Sequence, residues 1–338
     1  PIAKRAIGTL PAIMMLIAIG ALVPWDTANH WAAHHRSKWG TGLTVLVPIV
    51  IVLGFVFSTI WTYRDYFVVW AQDPDLFTHF ETGPTAIGQY VGTLPPEDRV
   101  YVSPIPPDHP SVIYNSQNRP GIKGYDGRAC IVVPKQTTAD TTYVIVPGED
   151  PNSLDLLHIY FPLGQIVAEG PLHDQQPYFF AFGILQGAKA SIAPSHAMEA
   201  NWGNKIKLLG YDLDADVYKP GDAIQLILYY QALEEMDEDY TVFAHLLGPS
   251  NPATPRPLRG QADSQPCQRT YPTTEWTIGE IVRDRFSIAI PGDAPPGDYQ
   301  LDVGFYLLDT MARLPATDAA GHPLADDAVP LGIIEVRK

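Results

Sequence analysis

The most continuously apolar stretch along the chain, Leu43 to Trp61, LTVLVPIVIVLGFVFSTIW, carries no charge. At about 1.5 Å per residue a helix of this length nearly crosses a hydrocarbon layer of about 30 Å. Trp61, Tyr63 and Tyr66 stand where interfacial aromatics belong. Pro48 and Gly54 would weaken a helix in water but are tolerated among helices in lipid. A second uncharged run, Ala6–Val23, is a little short, and Pro24 and Trp25 extend it toward an interface. Together they predict a transmembrane hairpin over residues 1–62, with spans at about 6–24 and 43–61. A buried core helix is the competing reading of the long run. A signal peptide is that of the shorter one, because Lys4 and Arg5 precede an apolar core.

Beyond the hairpin the pattern changes to short segments between turn signals. Residues 63–94 read as helical, broken at Asp73–Pro74. Ile87, Tyr90, Val91 and Leu94 fall at helical spacing over Pro84–Leu94, with Thr82 as the expected N-cap. Arg99–Ser103, Ala129–Val133, Tyr143–Val146, Gly164–Glu169 and Tyr178–Ile184 read as strands, and Asn152–Phe161 as a helix. Continuous apolar strands alternating with helices predict a small α/β domain over residues 63–188. A linker is expected near Lys189–Gly203. Then Ile206–Leu213, Ala223–Ala232, Tyr240–Leu247, Ile281–Ile290, Tyr299–Tyr306 and Leu331–Val336 read as strands, several of them alternating as in Ile224, Leu226, Leu228 and Tyr230. They predict an immunoglobulin-like β-sandwich over residues 195–338. The expected fold class is therefore a membrane-anchored multidomain protein: two transmembrane helices, a small α/β domain, then the sandwich.

The formal charge of −15 is unevenly placed: Lys4, Arg5, Arg36, Lys38 and Arg64 precede the acidic bulk. An acidic soluble part argues against a nucleic-acid partner. The loop Asp26–Gly42 carries Arg36 and Lys38, which places it in the cytoplasm and the acidic C-terminal part outside. Lys4 and Arg5 then lie outside too, against that rule. Thirty-three prolines agree with a chain rich in turns. Cys130 and Cys267 are far apart and expected in different domains, outside any CxxC or Cys/His cluster. A zinc site is unexpected on that ground and a disulfide framework excluded.

No complete active site emerges, and no catalytic residue, metal or cofactor is expected. His30 and His34 are four apart and could share a helix face, but no carboxylate or cysteine completes a metal set. The acidic run Glu234, Glu235, Asp237, Glu238 and Asp239 reads as a solvated hairpin turn. Asp212, Asp214 and Asp216 begin like a calcium loop, but Val217 and Ala223 occupy positions that need Gly and Glu. GxSxG, P-loop and HExxH motifs are missing, and Ser195–His196 is adjacent only in sequence. Asp263, Asp284 and His245 read as surface or turn residues. Lys4 and Arg5, at the headgroup level, are candidates for holding a lipid phosphate; interfacial anchoring is the alternative. Trp202, Tyr218 and Trp276 are candidates for stacking on sugar rings.

Three stretches resemble bacterial membrane glycosyltransferases of the dolichyl-phosphate-mannose-protein mannosyltransferase type, family 39, which includes ArnT-like aminoarabinose transferases. They are RAIGTLPAIMMLIAIGAL (Arg5–Leu22), the last span with TYRDYFVVWAQDPDLFTHF (Thr62–Phe80), and YDGRACIVVP (Tyr125–Pro134). LLGYDL (Leu208–Leu213), KPGD (Lys219–Asp222), DYTVFAHLL (Asp239–Leu247) and DAPPGDYQLDVGFY (Asp293–Tyr306) resemble a sandwich module appended to such proteins. The resemblance implies transfer of a sugar from a polyprenyl-phosphate carrier on the exoplasmic side of the cell membrane. It implies that this chain is the C-terminal, non-catalytic part, lacking the early exoplasmic loop that bears the family's acidic catalytic residue. Its expected partners are membrane lipid, a polyprenyl-phosphate sugar and further transmembrane helices. Two other readings stand beside it: an anchored accessory subunit of a larger complex, and an anchored carbohydrate-binding module.

Overall fold

A computed structural model of the chain describes residues 10–34, 38–70, 75–249 and 257–337. They divide into two compact units, one ending at Leu76 and the other beginning at Phe77. In the first, helices α1 (Leu10–His34) and α2 (Lys38–Arg64) pack together, and a π-helical turn, Asp65–Val69, continues α2. Within it Thr44–Val69, 26 residues, is long and apolar enough to cross a bilayer, and none of it is buried in protein. Among the described residues it is the one helix that meets that test. The expected loop from Asp26 is helical as far as His34, and helix resumes at Lys38. The polar side chains there satisfy themselves within the helix: Thr27 Oγ1 donates to Val23 O at 2.7 Å, and His34 Nδ1 lies 2.9 Å from His30 O.

Helix α3 (Asp75–His79) runs across that boundary, and α4 (Thr82–Thr93) follows within the second unit. Its first sheet has the spatial order β2 (Ile122–Gly124), β1 (Arg99–Ser103), β4 (Thr141–Ile145), β8 (Phe180–Ile184), β5 (Gln165–Glu169). The β2–β1–β4 part is parallel and the remainder antiparallel. Helix α5 (Pro110–Asn115) lies on the crossover from β1 to β2, and α6 (Ser153–Tyr160) lies between β4 and β5. A short hairpin, β6 (Leu172–His173) and β7 (Gln176–Pro177), precedes β8. Val100 and Val102 pack with Ile87, Val91 and Val112 of α4 and α5, while Tyr101 points the other way and stacks on Tyr143 at 4.7 Å. Burial on both faces is why β1 and β4 read as unbroken apolar runs.

Two further sheets face each other as a β-sandwich-like pair. One has the order β17 (Ala316–Asp318), β9 (His196–Trp202), β10 (Ile206–Leu213), β12 (Ala223–Ala232), β15 (Glu280–Ala289), β3 (Cys130–Pro134). The other has β11 (Val217–Tyr218), β18 (Val329–Val336), β16 (Gly297–Leu307), β13 (Tyr240–Leu247), β14 (Leu258–Ser264). Every second residue of β12 and β16 enters the shared core: Ile224, Leu226, Leu228 and Tyr230 from one, Tyr299, Leu301, Val303 and Phe305 from the other.

Three sequence expectations change here. The strand at Cys130–Pro134 does not join the α/β sheet. It pairs antiparallel with β15, Asp284 opposite Cys130 and Glu280 opposite Pro134, so the first half of the unit supplies an edge to the second. The expected linker contains β9, a seven-residue strand. Cys130 and Cys267 form a disulfide with Cα atoms 5.0 Å apart, which corrects the exclusion drawn from their separation. Spacing in sequence was a poor guide because β3 changes sheets and carries its cysteine with it.

A buried polar cluster seals this join. Glu280, fully buried, accepts from Tyr101 OH at 2.5 Å, Tyr271 OH at 2.7 Å and Thr277 N at 2.7 Å, and pairs with Lys123 Nζ at 2.9 Å. Lys123 and Tyr101 come from β2 and β1, whereas Tyr271, Thr277 and Glu280 belong to the sandwich side. A buried carboxylate is tolerable only with such a full set of donors.

Candidate functional site

A cavity of about 630 Å³ opens at the C-terminal ends of the parallel strands β1 and β4. The chain after β1 contributes Ile105, and that after β4 contributes Val146, Gly148 and Glu149. The connection from β1 leads to β2 on one side, and β4 lies on the other, so the cleft sits where strand order reverses. Open α/β sheets place their ligand crevices at such points. Opposite these loops stand Phe77 and Thr78 of α3, Glu81, and the entry to α4. The β6–β7 hairpin closes the remaining side. Asp174 and Gln175 at its tip both have left-handed φ, 51° and 66°, the geometry of a tight two-residue turn.

Three rings line the cleft. Phe77 and His173 stack with centroids 4.2 Å apart and planes 14° from parallel, and Tyr178 lies 5.1 Å from Phe77. Gly83 makes room for them: a Cβ there would stand 2.2 Å from the Tyr178 ring. Three carboxylates, Glu81, Glu149 and Asp174, share the lining, which contains no lysine or arginine. Burial, reinforced by the Glu149 charge, pushes the Tyr178 phenol up to about 12. His173 Nε2 lies 3.7 Å from Asp174 Oδ2. The cleft is thus aromatic and negative. It disfavours phosphate and carboxylate ligands and suits a neutral polyhydroxyl compound or a cation.

Among the described residues this cleft holds no Ser–His–carboxylate triad. Ser111 Oγ donates directly to Glu81 Oε2 at 2.5 Å. His109 Nε2 lies 3.9 Å from the same carboxylate, and its Nδ1 accepts the Ser111 N–H at 3.3 Å as the cap of α5. The imidazole therefore does not stand between hydroxyl and carboxylate as a triad requires. Among the described residues no group of three or more His, Cys, Asp or Glu is placed to hold a metal ion.

The residues singled out in sequence fall elsewhere. Lys4 and Arg5 lie outside the described residues. Trp202, Tyr218 and Trp276 are 0%, 4% and 2% exposed, so they cannot offer a face to a sugar. Trp202 meets Phe305 edge-on at 5.0 Å, Trp276 stacks near Tyr230, and the Tyr218 hydroxyl is held by Asp214 at 2.6 Å. Asp212 is likewise occupied, accepting from Ser195 N at 2.6 Å and Tyr229 OH at 2.6 Å. His245 and Asp263 face each other at 3.7 Å, both partly buried.

Asp284 corrects the surface reading: it is 1% exposed, on the inward face of β15 beside the disulfide. Its Oδ1 accepts from Cys267 N at 3.1 Å, and its Oδ2 meets no donor among the described residues. Burial raises its pKa to about 8, against the lowering effect of the Cys267 and Arg285 backbone amides. The cleft itself was missed because its residues come from four separate segments with no shared motif. The one local signal was the Asp174–Gln175 turn between two short polar strands. No family model matches this chain, and no curated protein matches it.

Proposed function

We propose that this chain is the C-terminal, non-catalytic part of a membrane glycosyltransferase that uses a polyprenyl-phosphate sugar, and that its cleft receives the saccharide acceptor. The observation that carries the reading is the lining of the cleft: rings of Phe77, His173 and Tyr178 beside three carboxylates, without a basic side chain. Aromatic faces stack on sugar rings and carboxylates take hydroxyl hydrogen bonds, whereas the negative field turns away the phosphate of a donor lipid. The donor's phosphate is assigned instead to Lys4 and Arg5, and the cleft to the acceptor.

The same proposal makes Ala6–Val23 a second span beside the apolar helix Thr44–Val69, the sandwich-like sheets an immunoglobulin-like module, and the body exoplasmic. The disulfide fits an oxidising compartment. An anchored accessory subunit of a larger complex is the second reading. Like the first, it accords with a cleft that holds no Ser–His–carboxylate triad among the described residues, but it predicts no saccharide ligand. The carbohydrate-binding sandwich is set aside, because its three stacking aromatics are core.

Saturation-transfer NMR on the detergent-solubilised chain with neutral hexose and pentose oligosaccharides separates these readings. Ring-proton transfer that disappears in Phe77→Ala and His173→Ala is expected. Absence of transfer from every oligosaccharide, or transfer untouched by both substitutions, refutes the acceptor role.

A further inference from the structure

The geometry points to a second membrane contact on the body itself: the apolar end of the first sheet, with Leu163 at its tip, rests on the lipid surface. This rests on the anchoring part of the reading above and not on the saccharide.

Ile159 at the end of α6, Leu163 in the following turn, and Ile166 and Val167 of β5 are 61%, 94%, 42% and 59% exposed. Leu185, 76% exposed, leaves β8 at the same end, since Gln165 pairs with Gly183. Ordinary surfaces scatter such side chains singly; here five are gathered at one sheet end. Residues 159–168 carry no charge, in a chain of net charge −15. The edge position of β5 invites strand addition, but its pairing slips between Ile166 and Ala168, and such a bulge spoils a template for another strand. A fluid apolar phase needs no register. Only seven residues of sequence separate the candidate span, ending at Val69, from the body, beginning at Phe77. Their covalent length, at most about 3.5 Å per residue, bounds how far the body can stand from the end of that helix and so from the bilayer that holds it. The exposed side chains then insert by burying apolar area, without help from anionic lipid.

The test uses the full chain in nanodiscs of phosphatidylcholine, carrying Leu163→Cys labelled with an environment-sensitive fluorophore. The native cysteines are occupied by their disulfide and do not react. Met311→Cys, at a site 66% exposed, is the control. Expected are a blue-shifted emission at position 163, at least threefold protection from iodide relative to position 311, and quenching by nitroxide-bearing lipid. The signal should persist at high salt. Equal iodide access at both positions overturns the proposal, while retention of the chain in the disc keeps the anchor itself intact. Protection that appears in lipid-free detergent and grows with protein concentration also overturns it, in favour of contact between copies.

Discussion

Replacing Asp284 with asparagine keeps the shape of the side chain and removes its charge. In the folded protein burial raises the Asp284 pKa to about 8, against an ordinary value of 3.8. The folded state therefore holds a proton that the unfolded chain has released at any pH between those values. Stability from this group is fully present below about pH 4, falls as pH rises, and is lost above about pH 8. At about 1.4 kcal/mol per unit, raising pH from 5 to 8 removes about 4 kcal/mol. For a body of this size that is about 8 °C in Tm. Thermal unfolding of the solubilised chain, followed by tryptophan fluorescence, reads it directly, because Trp202 and Trp276 are buried in the same core. The Asp284→Asn variant should match the wild type's slope except for this increment. Its Tm, relative to that of the wild type at the same pH, should therefore rise by about 8 °C between about pH 5 and pH 8. Parallel curves across that range would show that Asp284 ionises without cost, and the burial argument would fail.

Two further experiments test the join. Lys123→Met leaves Glu280 buried with hydroxyl and amide donors but without its cation, and should cost about 3 to 5 kcal/mol in chemical denaturation. Recovery of much of that loss by adding Glu280→Gln is expected, and a single-variant cost below about 1 kcal/mol would contradict the role given to the pair. Replacing Cys130 and Cys267 together by serine frees a loop of 137 residues and should cost about 5 kcal/mol on the chain-entropy account. Mobility on non-reducing gels verifies the bond, and an unchanged denaturation midpoint would show that the sheet holds β3 without it.

Much of the fold is legible in the periodicity. The strands Ile206–Leu213, Ala223–Ala232 and Tyr240–Leu247 lie where alternation places them, because each has one face in the core and little competing local chemistry. What escaped depends on distant partners. β3 is as apolar as any strand of the first sheet, and nothing in CIVVP says that its neighbour is β15. β9 is largely exposed over its first half and its polar residues His196, Glu199 and Asn201 do not alternate, so it passes for a linker. The inward acids were visible in principle: Glu280, Val282, Asp284, Phe286 and Ile288 share one face of β15, and a strand that sets two carboxylates among core positions advertises special partners. The three aromatics taken for sugar contacts were legible only as large and apolar, and size alone favours the core. The cleft has no such one-dimensional trace, since its rings and acids meet only after the sheet has formed.

The migration of β3 has a consequence for how this protein could be rearranged over time. A sandwich excised at residue 195 would leave β15 as a raw border and lose the partner of Cys267. The two lobes cannot be traded as independent cassettes. Recombination that respects this architecture must move the whole body from Phe77 onward as one heritable piece, leaving the apolar helices as the part most easily exchanged.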